Sequence, residues 1–135
     1  MKKVMVFGSF DIVHDGHRSL FKQAKRHGDY LVVVVSRDAT YASLRGHKPL
    51  HGEQERLRNV AEELLVDEAV LGDTKDAYRV VREHRPPVIC LGYDQQAFVD
   101  RLQEKLRSCN LRSTKLVRLE PFRPERFKSS LLKKL

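Results

Sequence analysis

Four consecutive valines, Val32 to Val35, place the strongest constraint on how this 135-residue chain can fold. Successive side chains of a β-strand point to opposite faces of the sheet, so a strand that is apolar at every position must be covered on both faces. Such continuous runs are typical of parallel sheets that carry helices on each side. The valine run therefore predicts an interior strand of a parallel α/β sheet over residues 31–36.

The remaining sequence alternates between strand and helix patterns. Strands are predicted at residues 3–7, 31–36, 68–71, 88–91 and 115–119. Helices are predicted at residues 17–27, 53–65, 76–84, 96–109 and 129–135. This alternation implies crossover connections and a parallel sheet. We therefore expect a single-domain Rossmann-like α/β fold over residues 1–135, with a parallel sheet of about five strands and helices on both faces.

Composition excludes several classes of protein. Hydrophobic residues make up 41% of the chain, which is too many for a disordered segment. No apolar run approaches the ~18 residues of a membrane span, and the N-terminal apolar run is too short for a signal peptide. We expect a cytoplasmic protein with no membrane partner. Cys90 and Cys109 are the only cysteines, which suit reduced thiols rather than a disulfide framework or a zinc site.

The net charge of +8 predicts an affinity for phosphate groups but not which molecule carries them. Basic and acidic residues alternate through much of the chain, and the last third contains no aromatic-rich segment of the kind that stacks nucleic-acid bases. Bulk charge alone does not choose between nucleic acid and a small polyphosphate, and the expectation of small-molecule substrates with no nucleic acid rests instead on the sequence motifs. A non-catalytic nucleic-acid-binding domain, which would bind oligonucleotides in a salt-sensitive way, is the distant alternative.

Polar residues follow four of the five predicted strands, as the fold requires of a ligand site. In open parallel sheets, ligands bind outside the carboxyl ends of the strands. Residues 8–17 follow the first strand, Arg37 and Asp38 the second, residues 92–95 the fourth and residues 123–130 the fifth. These segments should meet at one edge of the sheet.

His14 and His17, three residues apart at a loop-to-helix boundary, are the sharpest candidates for chemistry. Gly16 between them removes a side chain that would block a ligand, and a helix N-terminus supplies N–H groups and a positive dipole end. Two imidazoles there can stabilise phosphate oxygens as charge shifts during group transfer. A chance pair of histidines is the plain alternative. Zinc binding is disfavoured because no third ligand is evident, so we predict no protein metal site.

The segment from Gly8 to His17 resembles the G-[ST]-F-D-x-x-H-x-G-H element of the cytidylyltransferase-like nucleotidyltransferase superfamily. The resemblance continues in order through residues 36–38, 45–49, 53–56, 91–95 and 127–130. It implies transfer of CMP or AMP from CTP or ATP with Mg²⁺, and release of pyrophosphate. Catalysis in that family needs alignment and charge stabilisation rather than a covalent intermediate.

Within the superfamily, L-G-x-D-Q at residues 91–95 and F-x-S-S at 127–130 most resemble archaeal-type FAD synthetases. That resemblance implies an FMN adenylyltransferase with ATP and FMN as substrates, Mg²⁺ bound with ATP, and a homodimer. Glycerol-3-phosphate cytidylyltransferase also has H-x-G-H, but it carries an R-T-E-G-I-S-T-T element near its end. The matching residues 123–130 of this chain keep two hydroxyl groups but lack the glycine. An enzyme using CTP and a polyol or sugar phosphate therefore stays the alternative. Archaeal-type FAD synthetases often carry cysteines near the C-terminus, whereas residues 124–127 of this chain contain none. The last predicted helix is also short for the superfamily, and either difference allows a different acceptor.

The resemblance also implies roles for individual residues. Those in catalysis are His14, His17 and Lys48, which would contact the transferring phosphates. Those that bind the nucleotide are Gly8, Ser9, Phe10, Gly16, Gly92, Asp94, Ser129 and Ser130. Those that bind the acceptor are Asp11, Asp38 and Arg56.

Several of these residues also have an ordinary structural explanation, which sequence alone leaves open. Lys48 could be an exposed loop lysine, and Arg56 could belong to a solvated helix face. Asp94 could simply form a turn after a glycine. Ser129 and Ser130 could cap a helix, although capping and phosphate binding use the same helix N-terminus. Tyr41, Tyr93 and Phe98 are candidate walls for the flavin ring or ordinary packing.

Overall fold

A computed structural model describes residues 2–76, 78–92, 96–108, 110–111 and 113–120, with the backbone alone for residues 96–100. The strands are β1 Lys3–Gly8, β2 Tyr30–Val35, β3 Glu68–Leu71, β4 Val88–Leu91 and β5 Lys115–Arg118. The helices are α1 Asp15–Lys25, α2 Asp38–Arg45, α3 Glu53–Ala61, α4 Arg79–His84 and α5 Gln96–Ser108. The predicted helix at 129–135 lies outside the described residues.

The five strands form one parallel sheet in the order β3-β2-β1-β4-β5. The chain builds outward from β1 to β2 and β3, then returns to the other side of β1 for β4 and β5. This reversal leaves the carboxyl ends of β1 and β4 side by side at the topological switch point, where ligands bind in such sheets. The fold class predicted from the sequence is confirmed.

The valine run of β2 is apolar throughout because both faces of the sheet are covered. Val33 and Val35 belong to a buried cluster that includes Phe21 of α1 and Val60 of α3. Val32 and Val34 belong to the opposite cluster, with side chains from α4 and α5. Alternate side chains of one strand therefore enter two separate cores.

The largest differences from the predicted helices involve α2, α3 and α4, whereas α1 begins and ends two residues earlier than predicted. Helix α2 was not predicted; it ends at Gly46, which adopts a φ of 76° that suits glycine. Helix α3 ends at Ala61 rather than at residue 65, and Leu64 beyond it is fully exposed. Helix α4 begins at Arg79 rather than at residue 76, because the Asp73 carboxylate accepts the N–H groups of the following turn. None of the described helices is long and apolar enough to cross a membrane.

Candidate functional site

The two histidines of the motif form a reciprocal cap on the first turn of α1. His14 is the N-cap residue, and its Nδ1 accepts the Gly16 N–H at 3.0 Å. His17, in the third helical position, accepts the His14 N–H on its own Nδ1 at 3.3 Å. The arrangement is a capping box in which imidazoles replace the usual hydroxyl and carboxylate groups. It holds both rings at the end of α1 that follows β1.

The capping bonds also determine where each neutral ring carries its proton. A backbone N–H can only donate, so both Nδ1 atoms must be acceptors, and the proton of each neutral ring is on Nε2. The rings stack with centroids 4.0 Å apart and planes 25° apart. Phe10 packs its ring edge-on against His17 at 5.1 Å and is itself only 5% exposed. The capping bonds and the packing therefore fix the orientation of both rings.

Both histidines are neutral at neutral pH. Burial lowers the pKa of His14 below its ordinary value. Burial, together with the adjacent His14 ring, lowers the pKa of His17 to about 4, although the Ile12 carbonyl acts in the opposite direction. The site thus offers hydrogen-bond donors and the positive end of α1 without two imidazolium charges.

This pKa predicts a loss of stability in mild acid. The unfolded chain protonates His17 near pH 6.5, whereas the folded chain resists protonation until about pH 4. The unfolded state therefore binds more protons within that window, and the free energy of unfolding falls as the pH is lowered through it. Between pH 7 and 5 we expect His17 to account for a loss of about 1–2 kcal/mol.

Urea denaturation of the wild type and of His17→Gln at pH 7 and pH 5 checks this prediction. Glutamine suits the third helical position of a capping box but does not titrate. The wild type should lose more unfolding free energy than the variant on acidification. Equal losses in the two proteins would show that His17 is not protonated on unfolding in this range.

A second set of contacts ties the loop that carries Lys48 to the loop after β1. The Asp11 carboxylate accepts the N–H groups of Leu50 and His51, each at 2.8 Å. In return, His51 donates Nδ1–H to the Asp11 carbonyl oxygen at 2.8 Å. Burial raises the pKa of Asp11, but the amide donors of His51 and Leu50 oppose it and the net pKa lies below its ordinary value. Asp11 is therefore an ionised anchor for this loop.

Arg56 is fully buried, in contrast to both interpretations drawn from the sequence. Its Nε donates to the His51 carbonyl at 2.9 Å, and Nη1 donates to the Ser9 carbonyl at 2.9 Å. Nη1 also contacts Ser36 Oγ at 3.4 Å, and Nη2 donates to Asp38 Oδ1 at 2.8 Å. A guanidinium without solvent exposure does not form a solvated helix face, and its nitrogens donate to protein groups. It instead joins the loops that follow β1, β2 and α2.

Asp38, also predicted to bind the acceptor, lies at the start of α2 with its side chain 45% exposed. Its hydrogen bond to Arg56 lowers its pKa, although partial burial opposes the effect. The Asp38 N–H donates to Glu53 Oε1 at 2.9 Å. Asp38 therefore faces the same edge of the sheet as the histidines, with one oxygen already bound to Arg56.

The residues predicted to bind the nucleotide after β1 lie at the carboxyl end of that strand. A side chain at Gly8 would meet the Phe10 ring at 2.7 Å, so the glycine is required by this close approach. Phe10 adopts a φ of 54°, an uncommon conformation for a bulky residue. Its ring is buried between the rings of His17 and Phe21, so the Phe10 side chain packs directly against one member of the histidine pair. The Gly16 amide is bound to His14.

Other predicted residues divide between the described part of the chain and the rest. Gly92 follows β4 at the switch point, and its carbonyl accepts Arg118 Nη1 at 2.6 Å. Lys48 is exposed in the loop between α2 and α3. The positions of Asp94, Ser129 and Ser130 lie outside the described residues, as do Tyr93 and the side chain of Phe98.

Sequence reasoning missed the role of Arg45, at the end of α2. Its Nη1 donates to Ser9 Oγ at 2.8 Å, and its guanidinium lies 4.3 Å from the centre of the Tyr41 ring. Tyr41 is buried by this packing, so its position is explained by contacts within the protein and does not require a bound flavin ring. The R-G-H-K-P stretch pointed to this region, but no local pattern showed that Arg45 returns to the β1 loop.

Comparison with known proteins agrees with this geometry. Residues 5–135 match the Cytidylyltransferase-like family. The chain is 42% identical over 113 residues to FAD synthase of Ferroglobus placidus, covering 84% of this chain and 73% of that enzyme. It is 40% identical over 134 residues to FAD synthase of Thermoplasma volcanium, covering 99% of this chain and 93% of that enzyme.

A solved structure from Thermoplasma volcanium, described as a lipopolysaccharide core biosynthesis protein, has the same fold. It superposes with a TM-score of 0.83 at 41% sequence identity, covering 90% of this chain and 98% of that one. The structural similarity therefore extends over most of this chain.

Proposed function

This chain belongs to the cytidylyltransferase-like family, and on that premise we propose that it is an FAD synthase, an FMN adenylyltransferase. The observation that carries the proposal is the similarity to FAD synthases over nearly whole chains, at 40% identity across 93% of the length of one of them. The site supplies matching chemistry, because a capped pair of neutral histidines occupies the helix terminus beside the switch point.

In the proposed reaction, a phosphate oxygen of FMN attacks the α-phosphorus of ATP. A new phosphorus–oxygen bond joins FMN to AMP, and the bond to the β-phosphate bridging oxygen breaks with its electron pair, releasing pyrophosphate. A phosphate monoester is largely ionised near neutral pH, so the step requires no general base. The protein's task is to align the two substrates and stabilise the charge that moves toward the leaving group.

The histidine pair supports this role because its donors are already oriented before the substrate arrives. We assign the Nε2–H groups of His14 and His17 to non-bridging and bridging phosphate oxygens of ATP. Donors that are fixed by backbone capping need not reorganise as negative charge builds up. Burial lowers the pKa of both rings in the free protein, so the neutral, hydrogen-bonding form is favoured near pH 7 before ATP binds.

Lys48 supplies an exposed positive charge in this proposal. Its exposure and its position two residues before the segment held by Asp11 leave the ammonium group available to a substrate phosphate. We infer that Arg56 contributes indirectly, because its buried guanidinium holds the surrounding loops.

Mg²⁺ is proposed to enter with ATP as part of the substrate. Within the described part of the chain, no group of three His, Cys, Asp or Glu side chains is placed to hold a metal ion. This suits an ion that is coordinated mainly by phosphate oxygens and water.

The homodimer and the cytoplasmic location stay predictions. ATP and FMN, with AMP transfer to a phosphate, account for the basic charge without a nucleic-acid partner.

The cytidylyltransferase alternative uses the same histidine chemistry with a different base and acceptor, so it is best separated by ligand binding.

Thermal shift measurements with the purified protein separate the two. A ligand at a hundred times its Kd adds ~2.7 kcal/mol to the free energy of unfolding and raises Tm by several degrees. We expect ATP with Mg²⁺, FMN and FAD each to raise Tm, and CTP or glycerol 3-phosphate to have little effect. Stabilisation by the latter pair without any response to FMN would favour the cytidylyltransferase.

A further inference from the structure

The loop that carries Lys48 is fastened at both ends to the same short segment after β1. Before the loop, Arg45 donates Nη1 to Ser9 Oγ at 2.8 Å. After it, Leu50 and His51 donate their N–H groups to the Asp11 carboxylate at 2.8 Å each. The five-residue loop 46–50 is therefore attached at both ends to the Ser9–Asp11 segment, and Lys48 is its middle residue.

Asp11 is well suited to be the principal fastening and poorly suited to bind a substrate. Its side chain is 15% exposed, and each carboxylate oxygen already accepts one backbone N–H. Tyr41 Oη approaches the same oxygen as Leu50, at 3.4 Å. Hydrogen bonds to a charged acceptor are roughly twice as strong as neutral ones. A negative charge at this depth would also repel the phosphate of an acceptor.

Asp11 lies only three residues before His14, so the same short segment carries both the loop fastening and the histidine pair. Loss of the Asp11 carboxylate contacts would release the Leu50 end of the loop and so displace Lys48, whereas the capping bonds of His14 and His17 use other atoms. Misplacement of about 1 Å at a reacting group can cost on the order of 10²-fold in rate.

We propose that Asp11 is a positioning residue that acts through Lys48, and not the acceptor-binding residue that the sequence motif indicates. The inference rests on the proposed function for the identity of the substrates, but the contacts that carry it are independent of that identity. It assigns the aspartate of the motif to loop geometry and the acceptor phosphate to groups other than Asp11.

A double-mutant cycle of Asp11→Asn and Lys48→Ala tests this inference. Asparagine keeps the size of aspartate but turns one acceptor into a donor that faces a backbone N–H. We expect Asp11→Asn to lower kcat by on the order of 10- to 100-fold, with KM for FMN within about twofold. In the Lys48→Ala background, the same substitution should change kcat by less than about threefold. Equal losses in both backgrounds, or a loss expressed as a raised KM for FMN, would overturn the proposal.

A matched control and a readout that needs no substrate complete the experiment. Asp67 likewise accepts a backbone N–H, from Leu31 at 2.8 Å, but it lies at the opposite end of the sheet. Asp67→Asn should leave kcat near the wild-type value. Amide hydrogen exchange at Leu50 and His51 should accelerate in Asp11→Asn and not in Asp67→Asn; unchanged exchange there would contradict the fastening.

Failure of the proposed function gives a different result. If the wild type makes no FAD but releases pyrophosphate from CTP and glycerol 3-phosphate, the cycle is measured with that pair. The Asp11 inference then stands or falls on the same coupling between the two substitutions, while the FMN assignment is rejected.

Discussion

Replacement of His17 by alanine is expected to lower kcat for FAD formation by about 10²-fold or more. That is the scale for removing one pre-oriented donor that stabilises transition-state charge. The KM for ATP should change much less, because the interaction strengthens as charge develops on the leaving phosphate. Steady-state kinetics with ATP varied at saturating FMN measures both parameters.

His27 provides the matched control, because it follows the opposite end of α1. His27→Ala should turn over at nearly the wild-type rate. If His17→Ala retains near-normal kcat while its fold is intact by circular dichroism, the phosphate-contact role assigned to His17 is wrong.

The second large effect concerns stability. Arg56→Ala should reduce the free energy of unfolding by about 3 kcal/mol, the lower end of the range for breaking a buried ionic network. The substitution leaves the carbonyls of Ser9 and His51 without their donor inside the protein. Asp38 contributes less to this loss, because its partly exposed carboxylate can be rehydrated.

Arg58, two residues along the same helix, is exposed and serves as the control. Arg58→Ala should stay within ~0.5 kcal/mol of the wild type in urea denaturation. A similarly small effect for Arg56→Ala would mean that its hydrogen bonds do not hold the loops together in solution.

The sheet could be predicted from sequence because its determinants are local. Residues 31–35 of β2 are all apolar because both faces of the sheet are covered, and this pattern is visible in a few consecutive residues. The histidine site could be found for the same reason. His14, Gly16 and His17 make their capping contacts within four residues, so the motif and the geometry coincide.

The roles of Asp11 and Arg56 could not be predicted because their partners are distant in sequence. Arg56 contacts Ser9 across 47 positions, and Asp11 contacts His51 across 40. Both lie within motifs that suggest substrate binding, and only the folded chain shows that protein groups satisfy them. Helix α2 was missed because it is short and carries a single buried residue, Tyr41.

By the proposed function, this enzyme joins AMP from ATP to FMN. The most direct measurement incubates the purified protein with ATP, FMN and Mg²⁺ and follows the flavin by liquid chromatography. We expect FMN to be converted to FAD with one pyrophosphate released for each FAD formed, and neither product with His14→Ala/His17→Ala. Pyrophosphate release from CTP and glycerol 3-phosphate, with no FAD from ATP and FMN, would contradict the claim.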